Sequence, residues 1–284
     1  MLAEAKELWK FRELLFSMVQ RDLKIRYKNS FLGFLWSLLN PLLTVSVMTF
    51  VFQTFIEVKV KNQGAYIFAA YLPFMYFQLT VMDSAQTVLS NLPLVKKIYF
   101  PREILPLASA ISNFIHFLLG LVVLFVFMLV VYAIHPGDWP FHSGIVLLPV
   151  LLFMSFCLAT GFALMVSALN TFYEDVKYIV GVLLYLLLFL CPIMYFSENV
   201  FYSTANQNNP LVYRLYYMNP VATLCTAYRK SILDPQAVTV GGIEYSPIGM
   251  DWKYIAIAFV VSVGVLIAGY SVFNRMKWRF VERP

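Results

Sequence analysis

Charge is what this sequence has least of. Only 13% of its 284 residues are Asp, Glu, Lys or Arg, against roughly 25% in a soluble domain. With 61% hydrophobic residues and a mean hydropathy of +0.73, the chain carries more apolar surface than a water-soluble core of this size can hide. Lipid is therefore its expected solvent. Cysteine is scarce as well: Cys157, Cys191 and Cys225 have spacings that fit neither a disulfide framework nor a zinc site. The histidines, His116, His135 and His142, do not cluster with carboxylates or thiols, which argues against a metal centre. No GxxxxGK[ST] loop occurs, so no phosphate cradle of that kind is available for ATP. The opening MLAEAKELWKFRELL is charged throughout, and no cleavable signal peptide is expected.

What the chain has instead is long apolar runs. A spanning helix needs about 20 apolar residues, and the pattern predicts six, at roughly 31–56, 66–90, 105–134, 144–169, 178–196 and 253–273. With the N-terminus inside, 15 of the 21 lysines and arginines fall in cytoplasmic pieces and 6 outside, the bias that orients membrane proteins. Both termini are then cytoplasmic. The basic side of the chain lies beside apolar spans, so its formal charge of +6 points to anionic lipid heads rather than nucleic acid. Trp139, Trp252 and Trp278 fall at predicted span edges, where interfacial anchors belong.

Before the first span, Leu8, Phe11, Leu15 and Met18 share one helical face, with Lys6, Lys10, Glu13 and Lys24 toward the other. This pattern predicts either a helix lying in the cytoplasmic interface or one packed on another subunit. Two loops stand out. Residues 93–106, PLVKKIYFPREILP, are braced by Pro93, Pro101 and Pro106 into a compact bent module. Residues 197–252 are too long for a simple connector. Inside them Asn219–Pro220 starts a helix with an apolar stripe of Val221, Leu224, Tyr228 and Ile232, too short to span and expected to dip into or lie on the outer leaflet.

Chemistry-bearing residues are few. Asp83 and His116 are the main ionisable groups inside spans; a proton relay would need partners that their spans lack. Ser109, Ser112, Asn113, His116 and Gly120 form a polar face that suits a helix–helix seam or, less commonly, the wall of a polar path. Ala159, Ala163 and Ser167 make a small-residue stripe, most simply internal packing. Aromatics crowd the outer side, among them Tyr195, Phe196, Tyr216, Tyr217 and Tyr228. A lipid-interface belt accounts for most of them; a path that stacks sugar rings is the sharper alternative.

Four stretches in order carry a resemblance: RDLKIRYKNSFLGFLWSLLNPLL at 21–43, KKIYFPREILP at 96–106, NTFYEDVKYIVGVLLYLLLFLCPIMY at 170–195 and YYMNPVATL at 216–224. Together they resemble the membrane subunit of ABC exporters of lipid-linked polysaccharide, the O-antigen, capsule and teichoic acid permeases. One position departs: Glu174 precedes Asp175 where the family often has arginine.

The resemblance implies an all-α, polytopic fold of six spans with an N-terminal amphipathic interfacial helix and short external re-entrant or interfacial helices before the last span. One transmembrane domain would cover 1–284: interfacial helix 1–30, five spans 31–196, external gate region 197–252, last span and tail 253–284. It also implies a homodimer in the bacterial inner membrane and a substrate on undecaprenyl pyrophosphate. The chain would be no enzyme and hold no cofactor, with Mg-ATP used by two separate ABC ATPase subunits. On that reading Val95, Lys96, Lys97, Ile98 and Tyr99 contact the ATPase. Arg21, Lys24 and Lys28, on one helical face with Arg26 pointing elsewhere, receive the diphosphate. Tyr195, Phe196, Tyr216, Tyr217 and Tyr228 line the polysaccharide path or an external gate. The competing readings are a permease of the same fold for teichoic acid, a drug or another amphiphile, an ion-coupled carrier, and a membrane transferase acting on lipid or sugar, which would need buried acids or metal ligands.

Overall fold

The computed structural model describes residues 2–27, 35–55, 60, 62–134, 139–240 and 243–281. Helices α1 (Leu2–Lys10) and α2 (Arg12–Tyr27) precede α3 (Leu35–Thr54), α4 (Gln63–Ser90), α5 (Leu92–Lys97) and α6 (Ile104–Ile134). A 3-10 turn at Ser143–Leu147 leads into α7 (Leu148–Phe172), followed by α8 (Asp175–Leu190). The short helices α9 (Ser197–Phe201), α10 (Thr204–Asn208) and α11 (Leu211–Met218) lead to α12 (Pro220–Ile232). Two three-residue strands, β1 (Val238–Val240) and β2 (Ile243–Tyr245), pair antiparallel and are a small departure from the all-α expectation. Helix α13 (Trp252–Met276) and a 3-10 turn at Lys277–Val281 complete the chain.

Among the described residues four helical stretches are long and apolar enough to cross a membrane: Gln63–Ser90, Ile104–Ile134, Ser143–Phe172 and Trp252–Phe280. The chain is a multi-pass membrane protein. The fifth expected span comes out shorter, as α8; the first is represented by α3, its expected ends at 31–34 and 56 lying outside the described residues. Helix α8 ends at Leu190 rather than near 196 because Pro192 has no N–H to donate and pushes Cys191 into extended backbone.

The core helices are α4, α6, α7 and α13. The stripe Ala159–Ala163–Ser167 is fully buried, and beside it Asn170 donates from Nδ2 to the Ala85 carbonyl at 2.8 Å, tying α7 to α4. Helices α7 and α13 cross at Gly161 and Gly269: a Cβ on Gly161 would sit 2.6 Å from the Val265 carbonyl oxygen, and one on Gly269 would collide with the Gly161 carbonyl. Backbones this close need glycine on both sides.

A second apolar cluster closes the end that carries both termini. Met18 and Val19 of α2 pack there with Val88, Val95, Phe100, Ile104, Leu164, Phe273 and Phe280, and Leu8, Phe11 and Leu15 lean on it. The amphipathic stripe of the N-terminal segment is thus spent on this chain's own core, while Trp9, Phe16 and Ile25 face outward. At the opposite end α12 does not lie on a surface. Every residue from Val221 to Ile232 is buried, Arg229 and Lys230 included.

The crossing makes an expectation with an internal control. Gly269→Ala, and to a smaller degree Gly161→Ala, should lower the thermal stability of the detergent-purified protein, each by about 1–3 kcal/mol or more. Gly264→Ala, where nothing lies within 4 Å of the added carbon, should leave it unchanged or slightly higher. Equal unfolding temperatures for all three would mean that the helices can part at no cost.

Candidate functional site

The first site forms where α2 meets the spans. Asp83, alone on an apolar stretch of α4, must find a cation, because an unpaired carboxylate in low dielectric is costly. Arg26 supplies it: its Nη2 lies 2.7 Å from Asp83 Oδ2 and also donates to Asn113 Oδ1 at 2.8 Å. Asn113 in turn donates from Nδ2 to Asp83 Oδ2 at 3.0 Å. Three helices are thereby joined by one closed triangle of charge-assisted bonds. The polar face of α6 is a seam against α4 and α2, and its Ser112 and Asn113 are buried in it.

The triangle also divides two hollows. On the span side a mainly apolar crevice of about 260 Å³ runs past Trp36, Pro41, Tyr76, His116 and Gly120. On the other side an open polar hollow of about 340 Å³ is lined by Arg21, Asp22, Asp83, Gln86, Asn91 and Ser109. Arg26 lines both. Arg21 donates from Nη1 to Asn91 Oδ1 at 3.0 Å and from Nη2 to Asp22 at 3.0 Å. Lys24 is exposed and borders neither hollow; Lys28 lies outside the described residues. The structure therefore turns Arg26, not Lys24, into the site. Helical spacing on α2 could not show this, because the partner, Asp83, lies on another helix; the lone span acid was the available signal.

The second site is the braced loop. Val95 is buried under it, Lys96 and Lys97 are exposed, and Ile98 and Tyr99 stand out at 58% and 73% exposure. Tyr99 donates its hydroxyl to Glu7 Oε1 at 2.9 Å, so the loop is tied to α1. That bond and the Glu7 charge raise the Tyr99 pKa above its ordinary value. The loop residues border a groove of about 280 Å³ with Arg102, Glu103, Lys277 and Trp278.

The third is the aromatic group at the opposite end. Tyr228, Tyr217 and Phe196 are buried in the core, whereas Tyr195 and Tyr216 are half-buried and joined by a 2.8 Å bond between their hydroxyls. Phe196 belongs to a different assembly. Arg229 of α12, 1% exposed, lies 4.5 Å from the Tyr66 ring centre and 5.4 Å from that of Phe196. It donates to the carbonyls of Tyr66 at 3.1 Å and Pro192 at 2.6 Å. Next to it, Glu198 and Lys230 approach within 3.7 Å, both buried. Sequence pattern gave Arg229 no role beyond a cation in a loop. Among the described residues no group of three His, Cys, Asp or Glu could hold a metal.

Arg229→Met should cost about 3 kcal/mol or more, since the buried carbonyls of Tyr66, Pro192 and Ile193 lose their donor, with Arg229→Lys recovering only part because an ammonium lacks the planar fork. Thermal unfolding in detergent measures both; wild-type stability of Arg229→Met would show that water replaces the guanidinium without penalty.

Residues 13–233 match the ABC-2 type transporter family. The chain is 27% identical over 271 residues to an O-antigen export system permease protein RfbA of Klebsiella pneumoniae, covering 95% of this chain and 94% of that one. It is 29% identical over 282 residues to the protein of the same name from Myxococcus xanthus, covering 99% of both. The chain belongs to the ABC-2 type transporter family, whose members are membrane subunits of transporters.

Proposed function

We propose that this chain is the membrane subunit of an ATP-driven exporter that carries an undecaprenyl-pyrophosphate-linked, O-antigen-like polysaccharide from the cytoplasm across the bacterial inner membrane. It works as a homodimer of six-span subunits, α3 and α8 being the first and fifth spans, with both termini in the cytoplasm. Two ABC ATPase subunits bind and hydrolyse Mg-ATP. The names of the two relatives support the polysaccharide; the cation asymmetry of the sequence supports the orientation.

The observation that carries this reading is the position of Arg26 between an apolar crevice and a polar hollow. A lipid-linked diphosphate has the same two halves. Its isoprenoid chain suits a slot among α3, α4 and α6, and its diphosphate suits the hollow. A guanidinium binds phosphate oxygens with its planar fork. In the free protein Asp83 occupies that fork. The pair is well solvated, with side chains 33% and 40% exposed, so a phosphate can take the place of the carboxylate at small cost. Arg21 stands on the rim of the same hollow, and Lys24 and Lys28 add the attraction of a basic surface. At the far side, the half-buried pair Tyr195 and Tyr216 would touch a passing sugar, with Tyr217 packed against Tyr216 and Phe196 and Tyr228 buried in the core.

The test uses the complex of chain and ATPase in nanodiscs, with undecaprenyl pyrophosphate as the added ligand. Arg26→Gln should weaken half-maximal stimulation of ATP hydrolysis by on the order of tenfold, about 1.4 kcal/mol, and Asp83→Asn should strengthen it by freeing the fork. Lys24→Gln should change it little. A shift in the same direction for Arg26→Gln and Asp83→Asn, with assembly intact, would remove the site from the mechanism.

Topology has its own measurement. The three native cysteines are buried, so a cysteine placed at the exposed Asn208 should be the reactive thiol. It should react with an impermeant maleimide in intact cells whose outer membrane is permeabilised. Labelling only after the inner membrane is broken would invert the orientation.

A further inference from the structure

The C-terminal turn, Lys277–Val281, is not a loose tail. Lys277 Nζ lies 2.6 Å from Glu103 Oε1, and the two side chains are 11% and 1% exposed. Arg102 donates to the Lys277 carbonyl and stacks its guanidinium over the Phe280 ring at 6.0 Å. Phe280 is fully buried against Phe172 and Phe273. Glu103 and Arg102 belong to the second half of the braced loop, so the turn is bolted to the loop across 174 residues of sequence.

A buried ion pair is weak evidence for stability, because desolvating both charges consumes most of what their attraction returns. What it supplies is a fixed position. The thing it positions is Trp278, 64% exposed, which forms one wall of the 280 Å³ groove whose other walls are Glu7 and the loop from Val95 to Glu103. The indole shares the lining of this groove with the exposed Ile98 and Tyr99, so its rim carries three apolar side chains open to water. The groove is also incomplete: Glu103 Oε2 is buried and has no hydrogen-bond partner among the described residues. Its cations, Lys96, Lys97, Arg102 and Lys277, outnumber its carboxylates, Glu7 and Glu103.

We infer that the C-terminal turn is part of the surface that docks the ATPase subunit, with Trp278 as one wall of the socket and the Glu103–Lys277 pair as the pin that holds it. This rests on the ATP-driven reading above and adds to it a second docking element, remote in sequence from the loop. The occupant's chemistry follows from the groove. It is a segment with an apolar side chain to lie between Trp278 and Tyr99, carboxylates to face the surplus cations, and a hydrogen-bond donor for Glu103. Because the turn continues α13, and α13 is locked to α7 at the glycine crossing, a push on this socket moves those two helices as one body.

The experiment co-expresses the chain with its ATPase and reads ATPase recovered per permease after affinity purification, then substrate exported per ATP hydrolysed. Trp278 is exposed, so its replacement does not disturb folding. Trp278→Asp should reduce recovered ATPase at least several-fold, and Trp278→Phe should restore it. Lys277→Met should keep the ATPase bound but lower the export-to-hydrolysis ratio, since the wall remains while its pin is lost. Ile98→Asp with Tyr99→Asp serves as the reference for the loop. If that double variant loses the ATPase while Trp278→Asp and Lys277→Met behave as wild type, the loop docks alone and the inference about the turn is overturned. If none of the variants affects recovery or coupling, the docking reading of the whole end fails with it.

Discussion

One guanidinium sets the architecture of the half opposite the chain termini. Pro192 ends α8 inside the protein and leaves carbonyls that no helix can satisfy. In a hydrocarbon surrounding such groups cost several kcal/mol each unless something donates to them. Arg229 does so, reaching Pro192 and Ile193 at 2.6 and 3.3 Å and Tyr66 on α4 at 3.1 Å. To bring it there, α12 has to enter the core instead of resting on the membrane surface. The charge is made tolerable by the π faces of Tyr66 and Phe196 and by the carbonyl dipoles. The broken span, the buried short helix and the aromatic cluster are thus one solution to one unpaired backbone.

The rest of that end follows. Burial of α12 brings Glu198 and Lys230 inside with it, where they must face each other, and burial lowers the Lys230 pKa while the Glu198 charge opposes the shift. His142 pairs with Asp234 at 2.7 Å and donates its backbone N–H to the Ile232 carbonyl at 2.9 Å, closing the last turn of α12. A region whose sequence shows an apolar helix and many aromatics is therefore also held by buried charge, at Arg229 and at Glu198–Lys230. Of its aromatic side chains Tyr213, Tyr217 and Tyr228 are buried, Tyr195, Tyr202 and Tyr216 are half-buried and Phe201 is exposed.

The parts legible in the sequence were those governed by local pattern. The apolar runs located the long helices, Asn219–Pro220 located the start of α12, with the Asn219 side chain accepting from Val221 N–H as a cap, and the prolines at 93, 101 and 106 bounded the loop module. The small-residue stripe on α7 was read as internal packing and is so. What stayed hidden depends on partners far apart in the chain. Arg26 meets Asp83 across 57 residues and Glu103 meets Lys277 across 174; no helical period encodes such a meeting. The glycine crossing was missed for a related reason, since Gly161 lies off the stripe that α7 presents to α4 and needs Gly269 to have meaning. The end of α8 was legible but misplaced, because an apolar run continues past Pro192 even though a helix cannot.

Burial makes different kinds of device of two ion pairs at the end that carries the termini, Glu103–Lys277 and Arg26–Asp83. Glu103–Lys277 is enclosed, and parting it would leave charge in low dielectric at a cost of about 3–5 kcal/mol. It cannot serve as a switch on the timescale of a transport cycle without something equally strong to replace it, so its natural use is to fix geometry. Arg26–Asp83 is a third or more exposed on both sides, and water covers each charge when they separate, so the exchange costs about 0–1 kcal/mol. That pair can yield to a phosphate. A machine that must both hold a partner rigidly and release a substrate needs one bond of each kind, and the two lie on either side of the same apolar cluster, where Val88, Val95, Ile104 and Phe273 meet. On the proposed reading, substrate at Arg26 and force at Lys277 would act on the same packed residues.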